Sequence, residues 1–128
     1  IDIETGSFNW ETKINSSLKS TIIGDILFSI SNEGYLFLVN KNNGNIMRIT
    51  DIFSSLKPKE KNIIEPTGFI IGLDKIYVST NIGKLFIVDI ETGKTSSFIK
   101  IDNKKILRPY VYNGSLFTAK DNAIIKLN

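Results

Sequence analysis

ILFSISNEGYLFLVN (residues 26–40) and KIYVSTNIGKLFIVD (75–89) align without a gap at an offset of 49 residues. Asn32 falls on Asn81, Gly34 on Gly83, and the apolar run LFLV at 36–39 on LFIV at 85–88. Each copy is two short runs rich in Ile, Val, Leu, Phe and Tyr around a turn that ends in glycine. That pattern predicts a β-hairpin rather than a helix. Asn tolerates the left-handed backbone region and Gly enters it without steric cost, so SNEG and TNIG suit a tight reversal. A third copy, SLFTAKDNAIIKLN (115–128), fits with a turn one residue shorter.

Outside each hairpin lie two further short segments, TIIGD (21–25) and NIMRIT (45–50) in the first copy. Ile46, Arg48 and Thr50 alternate with Met47 and Ile49 at the two-residue strand period, whereas YLFLV is continuously apolar, as in a strand covered on both faces. No segment shows a sustained helical period with caps at both ends. Asn40, Asp89 and Asn128 each close an apolar run, and Asp2 holds the same place in a truncated first copy, at spacings of 38, 49 and 39 residues. The long interval reflects extra residues at 54–65, SSLKPKEKNIIE. A four-strand antiparallel meander recurring about every 40 residues predicts an all-β chain of β-propeller blades. The expected division is the end of one blade at 1–17, a blade with a loop insertion at 18–65, a blade at 66–105 and an incomplete final blade at 106–128. Propellers usually carry four to eight blades. About three blades are therefore expected to be a carboxy-terminal fragment of a larger ring.

The chain has 128 residues, 41% hydrophobic and 23% charged, in the range of globular domains. Net charge is +3, carried by lysines apart from Arg48 and Arg108 and interleaved with acids, as in KPKEK (57–61). That is a solvated surface, without the arginine-rich clustering of nucleic-acid binders. No apolar run reaches the ~20 residues of a membrane-spanning helix. Cysteine and histidine are both absent. This removes thiolate nucleophiles, disulfides, the commonest general base and the commonest zinc ligands.

DIETG occurs at 2–6 and again at 89–93, with a looser copy, NKNNG, at 40–44. An Asp, Asn or Thr side chain can accept backbone N–H bonds two residues on, and Gly supplies the positive φ that closes a hairpin. The motif Asp2, Thr5, Gly6, Trp10 (D-x-x-T-G-x-x-x-W) resembles the repeat of the quinoprotein-like propellers, named for alcohol dehydrogenases that carry pyrroloquinoline quinone. Among their quinone-free members is the lipoprotein subunit of the bacterial outer-membrane β-barrel assembly machinery. Asp89, Thr92 and Gly93 keep the turn, with Ser97 at the Trp position. Asn40, Asn43 and Gly44 keep it more loosely, with Arg48 there. The resemblance implies that the turn closes a hairpin between a blade's third and fourth strands and that the Trp packs against the next blade. It also implies a periplasmic location, with membrane attachment only through a lipid anchor upstream of the sequence.

These readings converge on a non-enzymatic protein-interaction scaffold, with no catalytic, cofactor or metal site. Expected partners are the remaining blades, a second copy, or an assembly-machinery subunit. The insertion is the candidate docking loop, through Leu56, Lys57, Lys59, Lys61 and Ile63, because insertions in repeat proteins commonly map to the binding face. The alternatives are a fragment of a quinone-dependent dehydrogenase and a carbohydrate-binding propeller using Tyr35, Tyr77, Tyr110 and Tyr112. Calcium at Asp2/Glu4 or Asp89/Glu91 is disfavoured, since calcium wants six to eight oxygens from one compact loop. The lone acids Asp25, Asp51, Asp74 and Asp121 fall in turns.

Overall fold

A computed structural model of the chain describes residues 9–127. Eleven strands form three antiparallel sheets among these residues. The first holds β1 (Thr21–Ile23), β2 (Ile26–Ile30), β3 (Tyr35–Asn40) and β4 (Ile46–Asp51), in that spatial order. The second holds β5 (Pro66–Gly72), β6 (Lys75–Thr80), β7 (Lys84–Asp89) and β8 (Thr95–Lys100), and the third β9 (Tyr110–Tyr112), β10 (Ser115–Lys120) and β11 (Ala123–Leu127). The hairpins predicted from the aligned copies are β2–β3, β6–β7 and β10–β11. One helical turn, α1 (Pro58–Lys61), lies in the insertion.

Register sorts the side chains into layers. Phe28 lies opposite Leu38 and Ile30 opposite Leu36 in the first sheet, as Val78 lies opposite Phe86 and Ile76 opposite Val88 in the second. These residues and Phe69 form one buried cluster between the two sheets, joined by Ile52, Phe53 and Ile64 from the connection. Phe53 meets Phe86 edge-on at 5.0 Å between ring centroids. The sheets even share an irregularity. The register shifts at Leu38/Val39 against β4 and at Ile87/Val88 against β8, which are equivalent positions. A bulge there bends and twists the outer strand next to its turn.

In such a meander the turns alternate between two ends. The β2–β3 turns and the connections between sheets share one end. The β1–β2 and β3–β4 turns share the other, where Lys41 N–H donates to Asp25 O and Ile90 N–H to Asp74 O. At the connection end, Ile52 N–H reaches Gly34 O at 3.0 Å and Ile101 N–H reaches Gly83 O at 2.8 Å, so chain leaving a sheet folds over the preceding turn. The side chains of Asn32 and Asn81 tie down the chain arriving at the sheet. Asn32 Oδ1 accepts from Ser17 N–H, and Asn81 accepts from Glu65 N–H and donates to Ile63 O.

Residues 9–20 form no strand, although the repeat leads one to expect the end of a blade at 1–17. The segment runs along the first sheet with its even-numbered residues half-buried through Leu18 and its odd-numbered ones exposed. Asp2, Thr5 and Gly6 lie outside the described residues.

Candidate functional site

At the turn end, the repeat motif is a hydrogen-bonded unit. Asn40 Oδ1 accepts from the N–H groups of Asn42 (2.9 Å) and Asn43 (3.3 Å). Asp89 Oδ1 accepts in the same way from Glu91 (2.9 Å) and Thr92 (3.1 Å). Gly44 N–H bonds Asn40 O and Gly93 N–H bonds Asp89 O, both at 2.8 Å, with φ of 76° and 74° at the two glycines. Asn43 Oδ1 and Thr92 Oγ1 each accept from the N–H two residues on.

Each turn receives a side chain from the outer segment of the preceding unit. Trp10 lays its indole against Gly44 and donates Nε1–H to Lys41 O at 2.8 Å. Arg48 lies over Gly93 and donates to Glu91 O at 3.0 Å and to Ile90 O. Ile90 follows Asp89 as Lys41 follows Asn40, so tryptophan and arginine make the same connection with different chemistry. Two residues on, Thr12 and Thr50 share that face, Thr12 donating to Gly44 O. Arg48 stands at the tryptophan position in the alignment, but its role as a substitute donor becomes visible only in three dimensions. Ser97, the third residue at this position, is exposed.

Across β6–β7, Lys75 faces Asp89 at 3.1 Å. The Thr92 N–H, and after it the Lys75 ammonium, hold the Asp89 carboxyl below its ordinary range. The carboxylate in turn raises Lys75.

The insertion does not present its five candidate residues on one surface. Leu56 packs against the core beside buried Ile64. Lys61 pairs with Asp51 at 2.8 Å, which raises its pKa, and Glu60 pairs with Lys84 at 3.1 Å. Lys57, Lys59 and Ile63 remain exposed, Ile63 by 60%. The insertion is therefore a fixed single-turn knob fastened from beneath. Alternating charge and apolar residues suggested a mixed loop, and only the fold shows which side is turned down.

Four-strand meanders laid side by side, with Trp10 and Arg48 of outer segments reaching onto the next unit's turn, are blades of a β-propeller. The chain is built of such blades, and solved propellers superpose on it. BamB from Moraxella catarrhalis matches with a TM-score of 0.74 at 18% identity, covering 98% of this chain and 35% of that one. The quinohemoprotein alcohol dehydrogenase ADHIIG from Pseudomonas putida matches at 0.62 with 14% identity, over 86% of this chain and 18% of that one. The Cps50 (Swd1) β-propeller domain from Myceliophteria thermophila matches at 0.65 with 20% identity, over 80% and 34%. At these identities the likeness is one of fold, and the chain spans about a third of BamB's length. No protein-family model matches the sequence, and no curated protein does.

Proposed function

We propose that this chain is part of a non-enzymatic propeller scaffold, working in the bacterial periplasm in outer-membrane protein assembly, and that its insertion is a docking knob. The observation that carries this reading is where the polar side chains go. Asp89, Asn40, Arg48 and Trp10 bond backbone within turns and between blades. Asp51, Glu60 and Asp102 are engaged by Lys61, Lys84 and Lys120. These groups hold blades together instead of converging on a reacting atom. The location and the assembly role rest on the resemblance of the turn motif and on the fold shared with BamB. On the face turned away from the second sheet, the first sheet exposes Ile22, Met47 and Ile49, and the third exposes Tyr110, Tyr112 and Ile124. These apolar faces suit packing on further blades or on a second copy.

Two measurements test the proposal. Titration with pyrroloquinoline quinone and calcium should give no saturable binding, and sub-micromolar binding would favour the dehydrogenase reading. Binding to the purified barrel-assembly complex should fall at least about tenfold in a Lys57→Glu, Lys59→Glu, Ile63→Ser variant. Unchanged affinity would remove the insertion as the docking surface.

A further inference from the structure

The chain between β8 and β9 crosses the connection end as an arch pinned at both sides. Ile101 N–H and Asp102 N–H both donate to Gly83 O, at 2.8 and 3.3 Å. Further on, buried Ile106 donates to Thr80 O at 3.1 Å, and Leu107 N–H donates to Ala119 O at 2.8 Å. Gly83 permits the close approach, since a Cβ there would collide with Asp102 O and Lys104 O. Between the two anchors, Lys104 and Lys105 stand exposed on a backbone held in place.

The arch is one wall of an open cleft of about 480 Å³, and the β10–β11 turn is the other. Lys104, Lys105 and Leu107 line it from the arch, and Lys120, Asp121 and Asn122 from the turn. Three ammonium groups therefore face one lining carboxylate. Asp102 lies 3.6 Å from the Lys120 ammonium and offsets part of its charge. Lys104 and Lys105 make no ion pair among the described residues. Leu107 is 49% exposed, which sets an apolar surface beside these two cations. No arginine lines the cleft to offer the planar fork that matches a phosphate. Compact ammonium groups next to an aliphatic side chain suit carboxylates carried on a peptide.

We propose that this cleft is a docking site for an acidic segment of a partner protein, with two adjacent carboxylates beside an aliphatic side chain. The carboxylates meet Lys104 and Lys105, and the aliphatic side chain packs on Leu107. Asp121 on the facing wall repels a dense run of negative charge, which favours a short acidic motif over a nucleic-acid backbone. The cleft is built by the connection into the third sheet and the insertion by the connection into the second. Either site can therefore fail without the other.

The probes are short fluorescein-labelled peptides with Gly-Ser flanks around a central Leu-Asp-Glu, Leu-Asn-Gln or Leu-Lys-Lys. The Leu-Asp-Glu peptide should bind the chain saturably and more weakly as salt is raised, with the other two at least about tenfold weaker. Lys104→Glu, Lys105→Glu should abolish that binding and leave the melting curve unchanged, because both side chains are exposed. The neutral pair Lys104→Gln, Lys105→Gln should lose it too, and Leu107→Ser should weaken it. The insertion variant Lys57→Glu, Lys59→Glu, Ile63→Ser should bind the peptide as the parent does. Absence of saturable Leu-Asp-Glu binding, equal binding of Leu-Asn-Gln, or indifference to both lysine variants overturns the proposal. Loss of binding in the insertion variant does so as well, by moving the site to the insertion. A single-stranded oligonucleotide that displaces the peptide and binds more tightly would assign the cleft to nucleic acid. Self-association removed by the charge reversal would assign it to a second copy, and either result likewise overturns it.

Discussion

The turns at 40–45 and 89–94 share few letters and almost every hydrogen bond. Asn40 and Asp89 accept from the same two N–H positions, and Gly44 and Gly93 take the same φ within 2°. They differ in what lies on top and what stands opposite. An indole covers Gly44 and a guanidinium covers Gly93. Ile26 faces Asn40 across β2–β3, where Lys75 faces Asp89 across β6–β7. The turn's backbone geometry is thus the fixed requirement. The side chains that reach it can change, provided a donor still meets the carbonyl after the Asp or Asn.

The largest effect should come from breaking the glycine contact. A methyl at Gly44 would run into the Trp10 ring, which is held by its own hydrogen bond, and would impose left-handed strain as well. Gly44→Ala should cost about 2–4 kcal/mol by denaturant unfolding. At Gly93 a methyl would lie 2.7 Å from the Thr50 hydroxyl, which can rotate away, and 3.2 Å from the hydrogen-bonded Arg48 guanidinium, which need yield only slightly. Gly93→Ala should therefore cost less, about 1–2 kcal/mol. Equal losses would show that the covering side chain is irrelevant and that φ alone sets the cost.

Next in size is the covering residue itself. Arg48→Ala removes charge-assisted bonds to two carbonyls and should destabilise by about 1–3 kcal/mol. The gain is offset in part because Arg48 Nε is buried without a partner. Trp10→Phe keeps the ring over Gly44 and loses one neutral bond, costing about 0.5–1.5 kcal/mol. Arg48→Trp sharpens the comparison. If indole and guanidinium are interchangeable, it should recover at least half of what Arg48→Ala loses.

Much of this was legible in the sequence, and the reasons are physical. The strand pairs around SNEG and TNIG declare themselves because apolar runs and turn-forming Asn and Gly alternate at strand length. Gly44 and Gly93 are legible because little else closes such a hairpin. Arg48 is harder to read, since a donor substituting for tryptophan is defined by the carbonyl it meets, 42 residues away in sequence. The knob at 54–65 is opaque for a similar reason. Leu56 and Ile63 look alike in the chain, and only the core decides that one is covered and the other left out.

The smallest effect concerns the acid in the second turn, and here the comparison yields a sign. Asp89 has its folded pKa below the ordinary value of 3.8, first through the Thr92 N–H and then through Lys75. Its stabilisation is therefore fully present above the ordinary carboxylate range, and it is lost as pH falls from there through the depressed folded value. Asn40 shows that a neutral side-chain oxygen satisfies the same two N–H groups. Asp89→Asn should thus melt within a few degrees of the parent at pH 7 and lose less stability on acidification. Asn40→Asp should do the reverse in the first turn, adding an acid-sensitive component. That component should be weaker than at Asp89, because Ile26 stands where Lys75 would be. Melting curves of the three proteins between pH 7 and pH 2 provide the test. An acid limb as steep in Asp89→Asn as in the parent would show that the turn draws nothing from the charge, and that aspartate there is only one more oxygen acceptor.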